Sequence, residues 1–129
     1  MTIYISAVSN TSEYFATRLV RCRDCTIKIH PVLPSGTLAP PTHTLYGHST
    51  QVTCLSLLPS VDTVVSGGSD GGVVVHTYWG GKYTRTVWGG GGSVTWCTVT
   101  STGNIITYDI KLQTLAVYGI NGELRKAHS

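Results

Sequence analysis

The tightest constraint on this chain is that it repeats itself. Aligning the aspartates that read as turn residues places Arg23-Asp24-Cys25-Thr26-Ile27-Lys28-Ile29-His30 over Ser69-Asp70-Gly71-Gly72-Val73-Val74-Val75-His76, an offset of 46 residues. A looser third copy, TLAVYGINGE, sets Tyr118 where His76 stands, an offset of 42. Periods of ~40–45 residues belong to units of four short strands, which cannot bury their faces alone and must stack on neighbours.

The residues inside each copy agree with strands. Runs such as QVTCLSLL, GVVVHTY, KYTRTVW, NIITYDI and TLAVYGI are rich in Val, Ile, Thr, Tyr and Trp, and Gly, Pro, Ser, Asn and Asp separate them. No segment carries a helical period. Asp70 followed by Gly71 and Gly72 suits a tight reversal, because Asp hydrogen-bonds its own backbone and Gly accepts positive φ.

Gly47-His48, then Ser66-Gly67-Gly68-Ser69-Asp70-Gly71, then a strand ending His76-Thr77, resembles the Gly-His to Trp-Asp frame of WD repeats. LYGHSTQVTCLSLLPSVDTVVSGGSDGGVVVHT, with YGINGEL later, is similar to the propeller that follows the BEACH domain in neurobeachin-type proteins. The resemblance implies an all-β fold of three four-stranded antiparallel blades, at about 2–46, 47–88 and 93–127. Three blades are too few to close a ring, which takes about four to eight. The expectation is therefore an incomplete propeller whose remaining blades and upstream domains lie outside this chain.

Within that resemblance, a turn Asp, the Gly-His histidine, a strand Ser or Thr and the Trp form a buried hydrogen-bond chain. Carried over, the second copy offers Asp70, His48 and Ser66, with His76 in place of Trp. The first keeps Asp24, with Val20 at the Ser66 position and His30 at the Trp position. The third has Tyr118 at the Trp position and no turn aspartate, since Ile110 to Gln113 connects its middle strands. These roles are structural. Partner proteins are expected at the loops, Leu33 to Thr42 and Tyr78 to Lys82, with Tyr78, Trp79 and Lys82 as contact residues.

Other chemistries fit less well. Cys22-Arg23-Asp24-Cys25 with His43 and His48 gives C-x2-C-x17-H-x4-H, but its central gap exceeds the ~12–15 residues of a zinc finger and His48 has a place in the repeat. A redox role for that pair lacks the helix N-terminus that stabilises thiolate. Cys54 and Cys97 sit in inner-strand patterns as small apolar residues, and an intracellular setting disfavours disulfides. Gly80-Gly81-Lys82 and Gly89 to Ser93 lack a following helix and read as a loop and a flexible linker, not a phosphate cradle. No carboxylate, His and Ser form a triad-like group. The expectation is a non-catalytic chain with no cofactor.

The formal charge is +3, from nine Lys and Arg against six acidic residues, and only Arg18, Arg21, Arg23 and Lys28 cluster. Nucleic acid would call for such a group interleaved with stacking aromatics, so no nucleic-acid partner is expected; a small zinc- or nucleic-acid-binding fragment is the competing reading. No segment reaches the ~20 apolar residues of a membrane helix, and the N-terminus lacks signal-peptide character. Direct membrane insertion is not expected, and the chain is placed in the cytoplasm, peripheral to vesicle or organelle membranes through a parent protein. Asn10-Thr11-Ser12 matches a glycosylation acceptor but reads as a polar turn.

Overall fold

A computed structural model describes residues 2–3, 8–11, 15–22, 25–31, 35, 37, 39–58, 61–88 and 92–128, with side chains from residue 25 onward except Trp88 and His128. Asp24 and residues 33, 34, 36 and 38 of the Leu33 to Thr42 loop lie outside the described residues.

The described residues form three antiparallel sheets. The first joins β1 (Thr2–Ile3), β2 (Val8–Thr11), β3 (Phe15–Cys22), β4 (Ile27–Pro31) and β5 (His43–Leu45). Here β1 and β2 both pair with the same edge of β3, so five strands fill four positions. The second sheet runs in order through β6 (Val52–Leu58), β7 (Thr63–Gly68), β8 (Gly72–His76) and β9 (Tyr83–Trp88). The third runs through β10 (Trp96–Val99), β11 (Asn104–Asp109), β12 (Thr114–Gly119) and β13 (Leu124–His128). The second and third sheets are meanders, the first departs from one only through β1, and among the described residues the three do not close into a ring, an architecture consistent with WD-repeat propeller blades.

One expectation fails here. Asn10 and Thr11 are not a turn: they pair with Ala16 and Phe15 in β2. A ladder along the long strand β3 outweighs the turn preference of the two polar residues.

The repeat is visible in register. Arg18 pairs with His30 as Val64 pairs with His76, and Val20 pairs with Lys28 as Ser66 pairs with Val74. Glycines serve the turns where φ demands them, as at Gly71 (φ 89) after Asp70.

Burial shows how the sheets stack. Every residue of β7 and β8 is buried, whereas β11 alternates between buried and half-buried. Full burial of a strand means that both faces are covered, and alternation means that one is. The face of the second sheet carrying Val52, Leu55, Val64 and, at the β8–β9 loop, Tyr78 packs on Ile27, Ile29 and Leu45 of the first. Its opposite face, with Cys54, Val65, Val73, Val75 and Val87, packs on Cys97, Val99, Ile105, Ala116 and Tyr118 of the third. The middle sheet is thus sandwiched, and each outer sheet is covered on one side.

Polar contacts tie the seam between the second and third sheets. The Val94 N–H donates to Gly68 O (3.1 Å), the Thr53 hydroxyl reaches the Val94 and Gly67 carbonyls, and the Val99 N–H donates to Ser56 Oγ (3.3 Å). Arg85 of β9 donates to Asn121 O across the same seam (2.7 Å).

Candidate functional site

The second sheet gathers a polar chain at one end. The Gly47-His48 segment leads into β6, so His48 lies beside the end of β7, where Ser66 is completely buried. His48 Nε2 and Ser66 Oγ are 2.7 Å apart, and the Ser66 hydroxyl also contacts Val74 O at 3.4 Å. Asp70 Oδ1 accepts from the Gly72 N–H (3.0 Å) and so fixes the turn into β8. Asp70 Oδ1, His48 Nδ1 and Thr50 Oγ1 converge on Gly68, where a Cβ would lie 2.8 Å from the carboxylate. Burial, with the His76 imidazole adding to it and Asp70 opposing it, pushes the His48 pKa down to about 4. The lowered pKa keeps this imidazole neutral at pH 7.

His76 lies deep in the same region, 1% exposed, on the face turned to the first sheet. Its Nε2–H donates to Tyr46 O (2.6 Å), its Nδ1 has no partner among the described residues, and its ring meets Tyr83 edge-on at 5.9 Å. The structure therefore brings His48, Ser66 and Asp70 into one neighbourhood and ties His76 to the backbone of Tyr46 instead of to Ser66. His30 occupies the corresponding position in the first sheet, half-buried, with its Nδ1–H donating to Ala39 O (2.8 Å). Tyr118 corresponds in the third sheet and is buried against the second, which raises its phenol pKa. Neither His30 nor Tyr118 joins a chain like that of His48 and Ser66 among the described residues.

The loop 77–82 is tightly held. Its base closes through the Thr77 N–H on Lys82 O (2.8 Å) and the Lys82 N–H on Thr77 Oγ1 (3.0 Å). Asp62, ahead of β7, accepts from the Tyr78 N–H on its backbone oxygen (3.2 Å) and from the Trp79 N–H on its carboxylate (2.7 Å). From the first sheet, His43 Nε2–H donates to Trp79 O (3.1 Å). Gly81 (φ 65) sits where a Cβ would strike the His43 ring at 2.6 Å.

Expectations for this loop divide. Trp79 is 56% exposed, and Lys82 is exposed. Tyr78 is a correction: it is only 5% exposed and packs between the first and second sheets, so it is a core residue and not a contact for partners. Its ring supports Trp79 from below, with centroids 4.6 Å apart and planes at 72°.

Two groupings escape a reading of the sequence. Asp109, at the end of β11, heads the connection to β12, its Oδ1 accepting from the Lys111 and Leu112 N–H groups (2.9 and 3.2 Å). The third sheet does have an aspartate at this turn, contrary to expectation; the signal was present in YDIKLQT, an Asp just ahead of a four-residue link. Asp109 also lines a cavity of about 230 Å³ between the second and third sheets, beside Val73, Val94, Ala116 and Tyr118. Cys54 and Cys97, distant in sequence, share the buried cluster at the same seam, where Cys54 Sγ contacts Val94 O (3.9 Å) and Cys97 Sγ contacts Val65 O (3.8 Å). Of the zinc-finger set, His43 and His48 are engaged as described. No group of three or more His, Cys, Asp or Glu side chains converges among the described residues.

Against known proteins, residues 39–77 match the family model described as WD domain, G-beta repeat. The chain is also similar to BEACH domain-containing protein B of Arabidopsis thaliana, with 37% identity over 84 residues. That alignment takes in 64% of this chain and 3% of the relative, so the chain spans a small part of the protein it matches.

Proposed function

We propose, from the premise that this chain is a WD-repeat piece of the kind found in BEACH proteins, that it serves as a protein-interaction module and not as an enzyme. The observation that carries this reading is Trp79: an exposed indole on a loop pinned by Asp62, His43 and the buried Tyr78. Large aromatic side chains held rigid before binding lose little entropy on association and dominate interface energetics. Lys82 places a cation at the edge of the same loop.

The three sheets are read as successive blades, at about 2–46, 47–88 and 93–127, of a propeller completed by chain outside this sequence. The half-covered outer sheets support that reading. The polar chain of His48, Ser66 and Asp70 is assigned a structural role inside the second blade, and Asp24, His30 and Tyr118 are assigned the equivalent positions in the others. The resemblance to neurobeachin-type proteins is the ground for reading the parent protein as one of vesicle trafficking and membrane-associated signalling in the cytoplasm. Among the described residues no helix is long and apolar enough to cross a membrane.

The test is a comparison of the proteins retained by the parent protein and by its Trp79→Ala and Lys82→Glu variants, with folding checked by thermal melt. Loss of one or more partners at unchanged melting temperature is the expected result. An identical partner set for all three proteins removes the loop from the reading.

A further inference from the structure

The seam between the second and third sheets holds two thiols with no counterpart in the polar chain described above. Cys54 comes from β6 and Cys97 from β10, and both belong to the buried cluster that joins the sheets, at 7% and 3% exposure. Each is aimed at the other sheet: Cys97 Sγ contacts Val65 O (3.8 Å) and Cys54 Sγ contacts Val94 O (3.9 Å). Gly67 makes the space, since a Cβ there would lie 2.6 Å from both Cys54 Sγ and the Val94 side chain. Both cysteines are free thiols in the structure.

We propose that Cys54 and Cys97 are a modification site, a pair that a small-molecule disulfide converts into a reversible bridge clamping the second sheet to the third. Cys54 is the more exposed of the two, and the neighbouring Cys97 thiol lowers its pKa while Cys54 and burial raise that of Cys97, so Cys54 is the first nucleophile. It releases its proton to solvent and attacks one sulfur of the reagent RS–SR. That S–S bond breaks, RS⁻ leaves and takes up a proton, and Cys54 carries a mixed disulfide. Cys97 then loses its proton and attacks the Cys54 sulfur, expelling the second RS⁻. Two protein thiols are oxidised and one small disulfide is reduced to two thiols. Access comes from parting of the seam, and the third sheet, covered on one face only, is held less firmly than the second.

The test uses the full chain with all four cysteines. It is incubated with oxidised glutathione, quenched in acid, denatured, alkylated and mapped by mass spectrometry. The expected product is a Cys54–Cys97 cross-linked peptide that disappears on reduction, with the melting temperature raised on the order of 5–10 °C in the oxidised form. In Cys97→Ala, Cys54 stops at the glutathione mixed disulfide and the melt does not rise; Cys97→Ser serves if the alanine variant does not fold. Recovery of both cysteines alkylated after Cys25 has been oxidised overturns the proposal. So does capture of each as a separate glutathione adduct in the unaltered chain, or a cross-link that leaves the melting temperature unmoved.

Discussion

Replacing Ser66 by alanine isolates the energetic content of the polar chain. The hydroxyl is completely buried, so solvent does not substitute for it. Its 2.7 Å contact with His48 Nε2 is a full hydrogen bond, and its 3.4 Å contact with Val74 O is near the limit and adds little. Losing one neutral bond and leaving the imidazole nitrogen unpaired in a largely dry site costs about 1–3 kcal/mol. Because His48 is half-buried and relaxes toward solvent in part, the expectation is about 2 kcal/mol. With a urea slope of roughly 1–3 kcal/mol per molar, the unfolding midpoint falls by about 1 M at unchanged slope. A double-mutant cycle with His48→Ala then yields a coupling of about 1 kcal/mol, since the two side chains share that bond. An unmoved midpoint for Ser66→Ala, or strict additivity in the cycle, refutes the chain as a stabilising unit.

Acid should weaken the fold through His48. Its pKa is about 4 in the folded protein and near 6.5 when unfolded, so the neutral form contributes fully above pH 6.5 and that contribution is lost as pH falls from 6.5 toward 4. Denaturant titrations across this window should lose about 1–3 kcal/mol, and His48→Gln should flatten the slope. Tyr78→Ala is expected to cost about 3 kcal/mol, whereas Trp79→Ala costs under about 1, and equal melts for the two variants would contradict the division of that loop into core and surface. Asp109→Ala should destabilise by about 1 kcal/mol by freeing two turn N–H groups; Asp109→Asn, which keeps the acceptor, should stay within about 0.5 kcal/mol of the parent in the same urea assay.

Most strands could be read from the sequence because valine-rich and aromatic runs ended at residues with specific turn chemistry. Asp70-Gly71 announced the β7–β8 turn, and the copy-to-copy offset of 46 placed His30 and His76 in the same register. What escaped depended on packing between sheets. Tyr78 reads as a loop aromatic, and nothing local states that the loop folds over the first sheet. Cys54 and Cys97 each read correctly as buried residues, yet their meeting requires knowing which faces of the two sheets oppose. Asp109 is hard to read as a turn residue because it stands at a strand end and the positive φ of that turn falls on Gln113 (φ 51), where a glycine would signal it.

The two uncovered faces at the ends of the stack are not alike: β4 offers Lys28 and His30 to its open side, and the third sheet offers Trp96, Ile106 and Tyr108. A copy joining through them uses a different patch on each partner, which makes the contact heterologous rather than two-fold symmetric. Repeated docking of this kind ends in a closed circle only when the turn per copy divides a full rotation; at any other angle it continues without limit as a filament. Any association of copies through these two faces is therefore head to tail, and the rotation from one copy to the next decides between ring and fibre.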